Sequence, residues 1–146
     1  MNKTLAIAIL AASTIFTGCA SVALAPKEQD AALKTFTAPP ADKAAVYIYR
    51  NTFVGQALKK NVYVNGELVG ESANKVYFYR QVPPGTNKIS TESEFSDNEI
   101  NLITEGGKNY FVEQYIRMGV FVGGANVKQV SEEEGKKNVL ESSLAK

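Results

Sequence analysis

No histidine occurs in the 146 residues, and only one cysteine does. The first absence removes the commonest general base, the usual metal ligand and every triad built around an imidazole. The second excludes an intramolecular disulfide. An excess of one charge is also lacking: 16 Lys and Arg stand against 15 Asp and Glu. Long-range steering toward nucleic acid needs a clear basic surplus, so no nucleic-acid partner is expected. The sequence has no G-x-S-x-G elbow, Walker loop or dinucleotide fingerprint. Neither an enzyme nor a cofactor nor a metal site is expected.

What is present begins with an address. Met1-Asn2-Lys3 is followed by "TLAIAILAASTIFT", a run without charge. A basic start, an apolar run of about 7 to 15 residues and then small residues make a secretory signal. The run is too short to span a membrane, which takes roughly 20 apolar residues. Phe16-Thr17-Gly18-Cys19 closes it and resembles the lipobox of bacterial lipoproteins, with Phe16 where Leu is usual. The resemblance implies cleavage before Cys19 and acylation of that cysteine. Two or three acyl chains hold a protein stably on a bilayer, where one holds it only reversibly. Ala20 follows the cysteine instead of the aspartate that retains enterobacterial lipoproteins in the inner membrane, so the resemblance implies the outer membrane, facing the periplasm or the cell surface. With Lys3 removed, 15 basic residues balance 15 acidic ones.

Three regions follow: a signal peptide at 1–18, an acylated cysteine and tether at 19–43, and a folded domain at 44–146. The tether is rich in alanine and holds Pro26, Pro39 and Pro40. A flexible segment of this length reaches about 25 Å. Within it "EQDAALKTF" has the spacing of a two-turn helix with Ala32, Leu33 and Phe36 on one side, stopped by the prolines. From Ala44 onward β-branched and aromatic residues dominate, as in "AVYIYR" and "KVYFYR". Asn65-Gly66 between two such runs is a strong hairpin signal. Pro84-Gly85 marks a second turn and Gly106-Gly107 a third. The pattern predicts an all-β fold, an antiparallel β-sandwich of about seven short strands. "SEEEGKKNVLESSLAK" predicts a C-terminal helix: Ser131 and Glu134 form a capping-box pattern, and Val139, Leu140 and Leu144 offer an apolar side.

The stretch "VYVNGELVGES…YFYRQVPPGTNKISTES" resembles the PEGA-type repeat, a small β module of bacterial surface proteins. "YIYRN", "VYVNGELVGES", "YFYRQVPPG" and "NYFVEQYI" together resemble a family of small bacterial lipoproteins known only as a domain of unknown function. That resemblance covers nearly the whole chain. It implies a β-sandwich and carries no catalytic or binding residue.

Several local patterns suggest chemistry. Ser72-Ala73-Asn74-Lys75 matches the S-x-x-K of penicillin-recognising enzymes, but that chemistry needs a helix start. Lying between strands, it reads as a turn. Glu92 and Glu94 share a strand face, the raw material of a glycosidase pair, and "SDNE" (96–99) offers oxygen ligands without calcium-loop spacing. Both read as solvated surface. The chain's three arginines, Arg50, Arg80 and Arg117, each end an aromatic strand. Ile48 shares a face with Arg50 and Phe78 with Arg80, while Tyr47, Tyr49, Tyr77 and Tyr79 take the other. Were those strands neighbours, the arginines would cluster among tyrosines and suit a glycan. The favoured alternative pairs them with Glu113 and other carboxylates, their stems covering core edges. "MGVFVGG" (118–124) is either an exposed partner patch around Phe121 or, the favoured alternative, a core strand with a bulge at Gly123-Gly124.

Together these features predict a lipid-anchored, non-catalytic envelope module that recruits a protein partner, with peptidoglycan or surface polysaccharide binding as the alternative. Cys19→Ser is expected to leave an uncleaved, unacylated precursor. Intact-mass analysis of membrane fractions checks this, and a processed, membrane-held variant would refute the lipobox reading.

Overall fold

The structure is a computed structural model describing residues 21–92, 98–118 and 123–146. Cys19, Glu94, the first half of the "SDNE" stretch and Phe121 lie outside the described residues. Helix α1 covers Lys27–Leu33 and helix α2 Glu132–Leu140. The strands are β1 (Ala44–Arg50), β2 (Lys60–Val64), β3 (Glu67–Ser72), β4 (Val76–Val82), β5 (Gly85–Thr91), β6 (Asn98–Thr104), β7 (Asn109–Met118), β8 (Gly123–Val130) and β9 (Ser143–Leu144). They form one sheet in the order β8-β7-β1-β4-β9 and a second in the order β3-β2-β5-β6.

The expected sandwich is present, with two corrections. Among the described residues nine strands replace about seven, because β5 starts inside the stretch read as a turn and β9 is too short to leave a pattern. The first sheet is also mixed: β1 runs parallel to β7, and β4 parallel to β9. Side-chain alternation reports which face a residue takes and is silent on strand direction.

Every residue of β1 is buried, so both its faces are covered. Val46 and Ile48 look toward the second sheet and meet Val62, Ile89, Leu102, Val112 and Val127. Ala45, Tyr47 and Tyr49 look the other way, into a second core with Tyr77, Phe111, Val139 and Leu144. Burying side chains of this size contributes about 1.5–3 kcal/mol each. The aromatic residues interlock: Tyr47 stacks on Phe111 at 5.1 Å and meets Tyr79 edge-on at 5.0 Å.

The hairpin expected at Asn65-Gly66 joins β2 and β3, with φ of +51° and +81°, the two left-handed residues of a type I′ turn. Ser72–Lys75 is a turn, with Lys75 at φ +62°. The capping expectation also holds, since the Glu134 amide donates to Ser131 Oγ at 3.2 Å. Of the apolar residues assigned to the helix, Val139 is buried, Leu140 is exposed and Leu144 belongs to β9.

The segment expected to be a tether is docked. The Ala25 amide bonds Leu144, the Lys146 amide bonds Ala23, and Leu24 bridges Ala145. Val22 packs on the inter-sheet core, and Ala25, Leu33 and Phe36 pack on the aromatic one. The physical reason is the second apolar face of β1 and β4, which needs a cover that the second sheet cannot supply.

Gly135, which weakens the helix by propensity, is required by packing. A Cβ there would lie 2.2 Å from two atoms of the Phe111 side chain. Gly135→Ala gains up to about 1 kcal/mol in helix propensity but overpacks at a cost of about 1–3 kcal/mol. Thermal unfolding followed by circular dichroism is expected to show a lower Tm than wild type.

Candidate functional site

The three arginines are not brought together. In the antiparallel pairing of β1 and β4, Arg50 stands opposite Val76 and Arg80 opposite Val46. Four residues therefore separate them along the strands, roughly 13 Å. Arg117 is exposed near the end of β7, paired with Gly124. The tyrosines do take the opposite face, but Tyr47, Tyr49 and Tyr77 are buried in the aromatic core and offer no ring to a sugar.

Arg50 is wholly buried. It donates to the carbonyls of Leu58, at 2.6 Å, and Gly55, so it fixes the loop after β1. Its Nε has no partner, and burial pulls its pKa down. Among the described residues none of the arginines forms an ion pair; Glu113 pairs instead with Lys128 at 2.8 Å. Gly123 and Gly124 continue the β7–β8 ladder to Met118 without a bulge.

Arg80, exposed on β4, marks an open edge of the first sheet. On its outer side β4 is paired with β9 only at Val76 and Tyr77. Beyond that point no strand among the described residues lies against Tyr79–Val82 on that side. The Ala145 amide bonds the Tyr77 carbonyl, so by alternation Tyr79 and Gln81 direct their backbone groups to the open side. Arg80 spans the gap between the sheets: Nη1 donates to the Tyr79 carbonyl at 2.9 Å and Nη2 to Val69 of β3 at 3.3 Å. Clefts lie on both sides of it. One, of about 530 Å³, runs between Tyr79, Leu33 of α1 and Leu144–Lys146. The other, of about 320 Å³, runs between Gln81, Val82 and Leu68–Val69. Leu68 is 58% exposed at its rim.

The wall of the larger cleft is set by one carboxylate. Asp30 Oδ1 accepts from the Tyr77 hydroxyl at 2.8 Å and the Leu144 amide at 3.1 Å, while Oδ2 accepts from Lys34 at 2.9 Å. Lys34 also donates to the Ser142 carbonyl, and the Tyr47 hydroxyl to the Leu33 carbonyl at 2.9 Å. Burial on its own would raise the Asp30 pKa, but these hydrogen bonds and the Lys34 charge outweigh it and hold the carboxyl below its ordinary value. Burial, with Tyr79 nearby, pushes Tyr47 up to about 12, and burial also raises Tyr77. Both phenols therefore remain donors at ordinary pH.

No reactive constellation accompanies the clefts. Ser72 is buried and donates to Gln114, which donates to Thr91 at 2.6 Å. Glu92 accepts from the Asn61 amide at 3.0 Å. Among the described residues no three His, Cys, Asp or Glu side chains group to hold a metal. Among them also, no helix is long and apolar enough to cross a membrane.

The profile of a family described as protein of unknown function DUF2846 matches residues 40–125, from just before β1 into β8. The chain belongs to this family. A protein of Haemophilus influenzae whose printed name is "Uncharacterized protein" is 47% identical over 137 residues, covering 94% of this chain and 82% of the relative. No solved structure matches the chain significantly. The matched span contains both strands that carry Arg80 and its Val69 partner, and leaves out α1 and β9, which close the larger cleft.

The sign of the Asp30 effect is fixed by its lowered pKa. Its contribution is present above the unfolded value near 4 and disappears as pH falls through the folded one. Asp30→Asn is expected to cost about 2 kcal/mol at neutral pH, the scale of hydrogen bonds to a charged group. Urea titrations at pH 7 and pH 3 check this: the gap between variant and wild type should narrow at the lower pH.

Proposed function

We propose that the protein is a lipid-anchored, non-catalytic module of the bacterial envelope, held by an acylated Cys19 in the outer membrane, that recruits a protein partner. The lipobox-like end of the signal supports the anchor. The observation that carries the recruiting role is the unpaired edge at Tyr79–Val82 with an open cleft on each side. Folded proteins usually pair, cover or charge such edges. Here a single exposed arginine stands over the gap, and an extended segment that displaced it would find backbone donors and acceptors on β4 with side-chain room to either side. Strand addition of this kind draws affinity from main-chain hydrogen bonds and specificity from flanking pockets. The guanidinium of Arg80, once displaced, is free to meet a carboxylate of the incoming segment.

The polysaccharide alternative drew its support from a cluster of arginines and tyrosines. With Arg50 buried and Tyr47, Tyr49 and Tyr77 committed to packing, the edge cleft is the better supported surface.

The test uses a photo-cross-linking residue at Leu68 in living cells. A discrete protein adduct is expected there, and none from the same residue at Ile103 on β6. Gln81→Pro removes an edge amide that does not serve the β1 ladder, a position where proline is tolerated. It is expected to leave Tm within a few degrees of wild type and to abolish the adduct. A Leu68 adduct that persists unchanged in a folded Gln81→Pro protein would refute strand addition.

A further inference from the structure

The opposite end of the sandwich carries exposed apolar side chains on a fixed loop. Phe53 is 82% exposed, Val54 45% and Met118 79%. Their surroundings are anchored. Arg50 binds the Gly55 and Leu58 carbonyls from inside, and the Thr52 amide donates to Asn74 Oδ1 at 3.0 Å. A Cβ on Gly55 would lie 2.6 Å from Ile116, and one on Gly123 2.5 Å from Leu58, so the loop is seated on the β7–β8 end that bears Met118. A buried arginine without a counterion therefore fixes a loop whose largest apolar side chain points into solvent.

The N-terminal segment arrives at the same end. Ser21 lines one shallow cleft with Asn74 and Lys75 and another with Lys59 and Glu71. Asn74 is the residue that holds Thr52, next to Phe53. Because residues 22–36 pack against the sheets, only two residues separate Cys19 from a docked position. The three Cα–Cα steps from Cys19 to Val22 span at most about 11 Å. A lipid on Cys19 would place this end of the domain against the bilayer, with no 25 Å arm between them.

We infer that the Phe53, Val54 and Met118 end is a membrane-contact face, which orients the domain on its lipid anchor and turns the Tyr79–Val82 edge outward. The inference rests on the lipoprotein reading above. Its chemistry is chiefly apolar insertion to headgroup depth. Lys59 faces Glu71 at 4.0 Å and Lys75 faces Glu141 at 3.7 Å, so these two lysines are matched, whereas Arg117, exposed beside Met118, has no ion pair among the described residues. Amphipathic surfaces of this kind bury about 5–10 Å into the headgroup and acyl boundary.

The chain contains no tryptophan, which allows a direct test. Phe53→Trp and, as a reference at the far end, Ile103→Trp (Ile103 is 73% exposed) are made separately in the full-length protein. Each is purified from the membrane fraction of cells expressing it and reconstituted into phosphatidylethanolamine–phosphatidylglycerol vesicles containing brominated lipid. Indole emission from the Phe53→Trp protein is expected to shift to the blue and to be quenched several-fold more than emission from the Ile103→Trp protein. Equal quenching in the two variants overturns the inference. So does a blue shift in Phe53→Trp without bromine quenching, which would indicate protein cover. Intact mass and vesicle flotation are read on the same samples. A protein that carries no acyl mass and does not float refutes the anchor itself, whereas a Phe53→Trp protein that floats with its indole unquenched refutes only the orientation.

Discussion

The double-sided burial of β1 is the constraint on which the rest of the structure depends. A strand apolar on alternate residues needs one cover, but "AAVYIYR" is buried at all seven positions and needs two. The second sheet supplies one through Val62, Ile89 and Leu102. The other must come from elements outside the strand pattern, and α1, α2 and β9 provide it through Leu33, Val139 and Leu144. What looks like an accessory helix at each end of the chain helps to cover the smaller of the domain's two cores. Gly135 follows from the same requirement, because α2 has to approach Phe111 closely enough that a side chain has no room.

Polar groups inside this double core are satisfied by short connected sets. Gln114 of the first sheet accepts from Ser72 and donates to Thr91, both of the second sheet, and Thr91 in turn donates to the Asn61 carbonyl. Asn87 ties Thr104 to the Pro83 carbonyl and accepts from Asn65. A half-satisfied network of this kind would cost more than an apolar replacement, so these residues help define how the two sheets are placed. Arg50 is one exception, its Nε left without a partner, as are the Tyr49 hydroxyl and Asn109 Oδ1. Arg50 is also the one buried charge among the described residues, and both its hydrogen bonds are spent on a single loop.

Much of the fold was legible in the residues. Alternation placed the tyrosines of β1 and β4 opposite Ile48 and Phe78, the Asn65-Gly66 hairpin was readable from its dipeptide, and Ser131 announced the second helix. Strand direction was not legible, because an alternating run is the same read parallel or antiparallel. The docking of residues 22–36 was hidden for a different reason: its main fasteners are backbone groups and Asp30, which carry no periodicity. The open edge was equally silent, since an unpaired strand is defined by a neighbour that stops short, and β9 is two residues long. The expected arginine cluster is absent because of register and burial together. The residues shared a face as expected, but antiparallel pairing sent Arg50 and Arg80 to opposite ends.

The joining of residues 23–25 to residues 144–146 sets an order of events. Contacts separated by nearly the whole chain length close last, because loop entropy must be met before they contribute. During synthesis, residues 23–25 therefore lack their backbone partners until the farthest part of the chain has emerged and laid β9 against β4. For that interval the backbone groups of residues 23–25 are unpaired by residues 144–146. Once the domain closes, the same stretch becomes part of the wall. Folding itself acts as the clock that ends that interval.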